Sequence, residues 1–199
     1  MTIFTSVRPL IWGELDIPLL ALEKDWHGDP LQPSAAYSLA RDEQRLWFIA
    51  HHRKPARLHP LARPGMFQAG LWNHDVAELF LADPASGRYF EFNLAPNGAW
   101  WSCEFTAPRM RAEEIDIAMP EVATFSDMGA DGAWLAAMCI PLDLLKARLD
   151  FGTATTANIT MILESPAQRF ISAVDLGTGE PDFHQPDRFA LMTSTLLSS

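Results

Sequence analysis

At 199 residues the chain is long enough for one well-packed domain, and 48% apolar with 11% aromatic residues is enough to fill its core. The formal charge of −10 excludes nucleic acid, whose phosphates it would repel, and equally disfavours an anionic membrane surface. A neutral or cationic small ligand is compatible with it.

No stretch approaches the roughly 18 uninterrupted apolar residues of a membrane helix. The opening residues, MTIFTSVRPLIWGELDIPLL, have Glu14 and Asp16 inside their one apolar run and no small-residue cleavage site, so the expected location is cytoplasmic. Cys103 and Cys139 form neither a disulfide framework nor a zinc motif and read as buried, inert thiols. No repeat, low-complexity tract or linker divides the chain, and residues 1–199 are read as a single domain.

Short alternating runs bounded by turn residues recur along the sequence: AAYSLA, RLWFIAHH, DVAELFLA, RYFEFNLA, AWWSCEFTA, AWLAAMCI, NITMILES, RFISAVD and RFALMTS. They predict an all-β fold, an antiparallel β-sandwich or barrel. Residues 18–33 and 55–70 read as long, proline-containing connections of the kind that carry function. Asp42-Glu43-Gln44 reads as a turn. His51 and His52, adjacent on a strand, point to opposite faces and do not share a metal ion. One short helix is expected over residues 141–149 (PLDLLKARL), with Leu142, Leu145 and Leu149 on one face and Gly152 as its stop.

The run DVAELFL places Glu78 on the side of Val76 and Phe80. A carboxylate so flanked lies either at a strand edge or against a partner, because burying it alone costs several kcal/mol. Trp72, just before this strand, is either a core ring or a platform at the rim. Asn97-Gly98 between two alternating runs is a hairpin signal. A two-residue loop there sets Leu94 opposite Trp101, Phe92 opposite Cys103 and Phe90 opposite Phe105. On the other face it sets Glu91 opposite Glu104, with an exposed Trp100 nearby. Two opposed glutamates are explained by water around them, by an arginine such as Arg88, Arg109 or Arg188 between them, or by a ligand-facing surface.

The segment from Trp72 to Leu81 (WNHDVAELFL) resembles the W-x-x-D-x-x-E-(L/I/V)-F-(L/I/V) strand of family 9 carbohydrate-binding modules and their DOMON-like relatives. An aromatic-rich strand follows it, RYFEFNLAPNGAW. GAWLAAMCIPLDLL resembles the family's strand-then-helix segment, and PDFHQPDRFALM its closing signature. In order, these pieces span about residues 36 to 193. The resemblance implies a β-sandwich whose rim pocket holds a sugar between two aromatic rings. Those positions match Trp72 and Phe183, with Asp75 in the motif and Glu78 at the position of a hydroxyl-binding acid. Glu91 departs from the pattern, standing where sugar-binding modules can carry a basic residue. As read, the chain is closest to stand-alone bacterial DOMON-like proteins.

The expected function is therefore non-catalytic binding of a small molecule, a saccharide, without cofactor, at Trp72, Asp75, Glu78, Glu91, Trp100, Glu104 and Phe183. One alternative is a haem-binding, electron-transfer domain using Met66, His74 or His184. Another is a protein-interaction scaffold. The segment DFHQPDR also has a structural reading, an Asp–Arg contact from Asp182 or Asp187 to Arg188 that closes the sandwich. No nucleophile elbow, phosphate loop or Cys–His signature points to an enzyme.

Overall fold

The alternating runs all form strands in the computed structural model, which describes residues 1–116 and 118–197. The first half of the chain gives β1 (Thr2–Thr5), β2 (Leu20–Lys24), β3 (Pro30–Arg41), β4 (Arg45–His52), β5 (Val76–Asp83), β6 (Arg88–Leu94), β7 (Trp100–Ala107) and β8 (Met110–Arg111). The second half adds β9 (Ala123–Met128), β10 (Trp134–Pro141), helix α1 (Leu142–Leu149), β11 (Thr156–Leu163), β12 (Arg169–Ser172), β13 (Ala190–Leu191) and β14 (Thr193–Leu196).

Two seven-stranded sheets result. The first runs β14-β1-β3-β4-β10-β9, with β2 against β3. The second runs β12-β11-β5-β6-β7-β8, with β13 against β11. Neighbouring strands are antiparallel except at β1, which pairs in parallel with β14 and β3. The fold is thus an all-β sandwich with one short helix.

Alternation builds the layer between the sheets. Leu39, Phe48 and Met138 meet Leu79, Phe92 and Ile159 there, with Leu142, Leu145 and Leu149 of α1 sealing one end. Each sheet also has an apolar outer face. Trp47, Ile49 and Phe4 of the first sheet are covered by the chain around Leu10–Ile17. Phe80, Tyr89, Trp101 and Phe105 of the second are covered by residues around Ala62–Leu71 and Leu176–Phe189.

Four sequence expectations need correction. Residues 18–33 are not an open connection, because they hold β2 and the start of β3, joined by a turn in which Asp25 Oδ1 accepts the His27 and Asp29 N–H groups. Helix α1 ends on Asp150, which itself takes the left-handed conformation at φ 49°, before Gly152 is reached.

The third correction concerns register. The β6–β7 loop has three residues: Ala95 N–H donates to Ala99 O at 2.8 Å, Gly98 N–H to Ala95 O at 2.8 Å, and Gly98 sits at φ 82°. This is a turn closed by a left-handed glycine, and it slips the expected pairing by one residue. Phe90 therefore faces Glu104, Phe92 faces Ser102, Glu91 faces Cys103 and Asn93 faces Trp101. Alternation misled because Trp100 and Trp101 give β7 a large ring on each side, and both faces of this sheet are covered.

Glu104 is the fourth. It does not oppose Glu91 but points to the other face, 6% exposed, where Arg88 Nε donates to it at 2.9 Å and Arg148 also reaches it. Trp100 shares that inner face. Its ring is 5% exposed and packs edge-on against Phe67 at 5.0 Å, so it is not the exposed ring expected.

Candidate functional site

A cavity of about 440 Å³ opens on the outer face of the second sheet. Its floor follows from strand alternation: Glu78 and Phe80 of β5, Glu91 of β6, Trp101 and Phe105 of β7, and Ile162 of β11 all point outward. Its walls come from connections. Trp72 stands on a single 3₁₀ turn, Leu71–Asn73, and Phe183 with His184 on the segment before β13. Gln168, Phe170, Arg109 and Arg111 complete the rim.

Trp72 meets Trp101 edge-on at 5.1 Å, and Gln168 Nε2 donates to its carbonyl at 3.1 Å. Phe183 is the more enclosed ring, 8% exposed, wedged between Trp26 at 5.9 Å and Phe170 at 6.0 Å.

The floor is acidic and dry. Glu78 and Glu91 are 3% and 5% exposed. Glu78 accepts the Thr160 hydroxyl at 2.7 Å, but burial dominates and pushes its carboxyl up to about 7. Glu91 is driven well above the ordinary carboxylate range, by burial first and by the neighbouring Glu78 second.

His184 reaches this floor from the wall. The Tyr89 hydroxyl accepts the Arg109 N–H at 3.0 Å and lies 2.8 Å from His184 Nδ1. The direction of that bond follows the imidazole tautomer, and the second ring nitrogen is Nε2. That atom faces Glu91 Oε2 at 3.7 Å. Burial, then the Arg109 charge, lowers His184 to about 4, so the approach is not the ion pair that a protonated imidazole would make. Burial also lifts the Tyr89 phenol to about 12.

The rim arginines have partners of their own. Arg109 Nη2 holds Asp182 at 2.8 Å, and Arg111 Nη1 holds Asp116 at 2.7 Å while lying 5.4 Å over the Trp101 ring. Asp182 is therefore tied to the turn after β7 and not to Arg188, correcting the Asp–Arg closure expected within DFHQPDR. By contrast, Trp101 Nε1 is buried without a hydrogen-bond partner, and the buried Asn93 side chain lies close enough to Glu91 to lower its carboxyl against the effect of burial.

Of the residues singled out from sequence, the cavity gathers Trp72, Glu78, Glu91 and Phe183. Trp100 and Glu104 lie across the sheet from it. Asp75, 3% exposed, accepts the Arg57 N–H at 3.1 Å and the Ser165 N–H at 2.8 Å, pinning two connections together. Among the haem-ligand candidates, His184 lines the cavity, Met66 is 58% exposed elsewhere, and His74 packs edge-on against His59 at 5.1 Å. Among the described residues, no three His, Cys, Asp or Glu side chains are grouped to hold a metal ion. Trp101 was missed as a site residue, and the correct hairpin register would have put it on the face of Glu91.

No protein-family model and no curated protein sequence matches the chain. Solved structures do. A candidate carbohydrate-binding protein from Bacteroides uniformis aligns over 90% of this chain and 87% of its own, with a TM-score of 0.65 at 17% identity. A family 9 carbohydrate-binding module from Caldicellulosiruptor kristjanssonii aligns over the whole chain. Its glucose complex gives a TM-score of 0.63 over 97% of that chain, and its cellotriose complex 0.61 over 95%, both at 14% identity. At such identities the likeness is one of fold: this chain has the β-sandwich architecture of carbohydrate-binding modules.

Proposed function

We propose that the chain is a non-catalytic saccharide-binding domain and that the outer-face cavity of the second sheet is its site. One observation carries the reading. Two aromatic side chains from separate connections, Trp72 and Phe183, border a floor on which two buried carboxyls, Glu78 and Glu91, retain unused hydrogen-bonding capacity. A pyranose has the matching chemistry, with apolar C–H faces for the rings and hydroxyls for the floor. Cavities of 300–1,000 Å³ are typical of small-molecule sites, and about 440 Å³ suits a sugar unit or two.

The fold likeness to modules solved with glucose and cellotriose supports the same reading. So does the sequence resemblance, which extends it to a DOMON-like relationship. A binding role is favoured over hydrolysis by the placement of the acids. Glu78 and Glu91 stand side by side on one face of one sheet, whereas glycosidases place their carboxyls on either side of the scissile bond.

Isothermal titration of the full chain with glucose, cellobiose and cellotriose tests the proposal. Saturable binding is expected, weakened about tenfold or more in Trp72→Ala, as loss of a stacking ring predicts. Binding of equal strength to wild type and variant would remove Trp72 as the platform. No binding by any of the three would sink the saccharide reading.

A further inference from the structure

We propose that the saccharide taken by this cavity carries a protonated amine, with the ammonium group seated at Glu78 and Glu91. The inference rests on the saccharide reading and narrows it to amino sugars.

The pairing of β5 with β6 sets Glu78 opposite Asn93 and Glu91 opposite Phe80, so the two acids are diagonal neighbours on the outward face. Both are at least nine-tenths buried. Among the described residues neither carboxyl has a salt bridge to a lysine or arginine, although the charges of Arg109 and Arg111 reach Glu91 and work against the effect of its burial. Arg109 is bound to Asp182, Arg111 to Asp116, and His184 is held neutral with its Nδ1 engaged by Tyr89.

In one row across the sheet, Thr160, Glu78, Asn93 and Trp101 follow each other, with the Asn93 side chain close enough to Glu91 to lower its carboxyl. An ammonium has three donors and no acceptor. Glu78 and Glu91, both lining the cavity, supply the acceptors. The Trp72 ring at the rim favours a cation further. A neutral sugar hydroxyl needs one carboxylate and leaves the second buried and unmatched. A sugar acid would add a third negative group to the floor.

The exchange of protons follows. In the free protein burial keeps the acid pair partly protonated, with Thr160, Tyr89, His184, Cys103, Arg109 and Arg111 the polar and charged groups around it. When the ammonium docks, a carboxyl releases its proton to solvent and the resulting carboxylate pairs with the cation. A neutral sugar causes no such release.

The test is titration calorimetry of the full chain near neutral pH with glucosamine, glucose and N-acetylglucosamine, in two buffers of different ionisation enthalpy. Glucosamine is expected to bind at least about tenfold tighter than glucose, with proton release that glucose does not show, and N-acetylglucosamine no tighter than glucose. In Glu91→Gln the preference should fall to within about twofold. Glucosamine binding no better than glucose overturns the inference while leaving the saccharide reading intact, and this comparison needs no variant to fold. A preference that survives in both Glu91→Gln and Glu78→Gln overturns the assignment to the acid pair. Failure of all three sugars, together with the cello-oligosaccharides above, overturns both readings.

Discussion

Replacing Glu78 by glutamine should stabilise the protein at alkaline pH and change little at acid pH. The Glu78 carboxyl is raised from 4.5 to about 7 in the folded chain. Between those values the folded state holds a proton that the unfolded state has lost, so stability declines as pH rises from about 4.5 and levels off above about 7. At ~1.4 kcal/mol per pH unit, the ionised carboxylate costs the fold about 3 kcal/mol on the alkaline side. Glutamine has nearly the same shape, keeps an oxygen to accept the Thr160 hydroxyl, and carries no charge to bury. Urea denaturation of wild type and Glu78→Gln from about pH 4 to about pH 8 reads the difference, which cancels titrating groups remote from Glu78 and includes the relief of Glu91, whose carboxyl the Glu78 charge raises. The gap should be near zero at the acid end and grow to about 3 kcal/mol in favour of the variant. A variant as stable as or less stable than wild type at the alkaline end would refute the reasoning, because Glu78 would then be ionised without penalty.

Other perturbations separate scaffold from site. Glu104→Gln leaves Arg88 and Arg148 facing a neutral group, and a loss of roughly 3 kcal/mol in urea midpoint analysis is expected with sugar binding unchanged. Gly98→Ala forces a Cβ onto a residue at φ 82° and should cost about 1–2 kcal/mol by thermal or chemical denaturation. Asp75→Ala strands the N–H groups of Arg57 and Ser165 and should cost roughly 1–3 kcal/mol, with looser hydrogen-exchange protection at both amides.

The parts of this fold that were legible in the sequence are those where burial on one side enforces alternation. Glu78 was correctly placed beside Val76 and Phe80 because DVAELFL alternates without ambiguity, and Leu142, Leu145 and Leu149 marked the buried face of α1 for the same reason. The misses also have physical causes. β7 presents Trp100 to one side and Trp101 to the other, so its apolar pattern fits two registers equally, and only the conformation of Gly98 chooses between them. Strands β2 and β9 carry half-exposed, polar-rich sequences whose pairing comes from neighbours rather than from their own pattern. Glu104 was expected beside Glu91 because register alone placed it there. Of its two partners, Arg88 was among the arginines expected near it, whereas Arg148 is 44 residues away and invisible to local reading.

The buried polar floor also bears on why a ligand reading is preferable to a scaffold reading for this cavity. Each unpaired amide or indole N–H taken out of water costs on the order of 1–3 kcal/mol, and a carboxyl more. Trp101, Glu78 and Glu91 together therefore weigh several kcal/mol against a fold whose whole margin is commonly only 5–15 kcal/mol. The same sheet shows how a surface with no ligand to meet is built. One row away, Tyr89 stacks on Phe105 at 4.8 Å and packs against Phe189, and its one hydroxyl is fully engaged by Arg109 and His184. A face used only for packing would extend that pattern across the floor, with leucine or valine in place of the acids. Retaining two carboxyls with spare acceptor capacity and an unpaired indole N–H, beneath an open cavity bordered by Trp72 and Phe183, is what a site looks like before the molecule that completes its hydrogen bonds arrives.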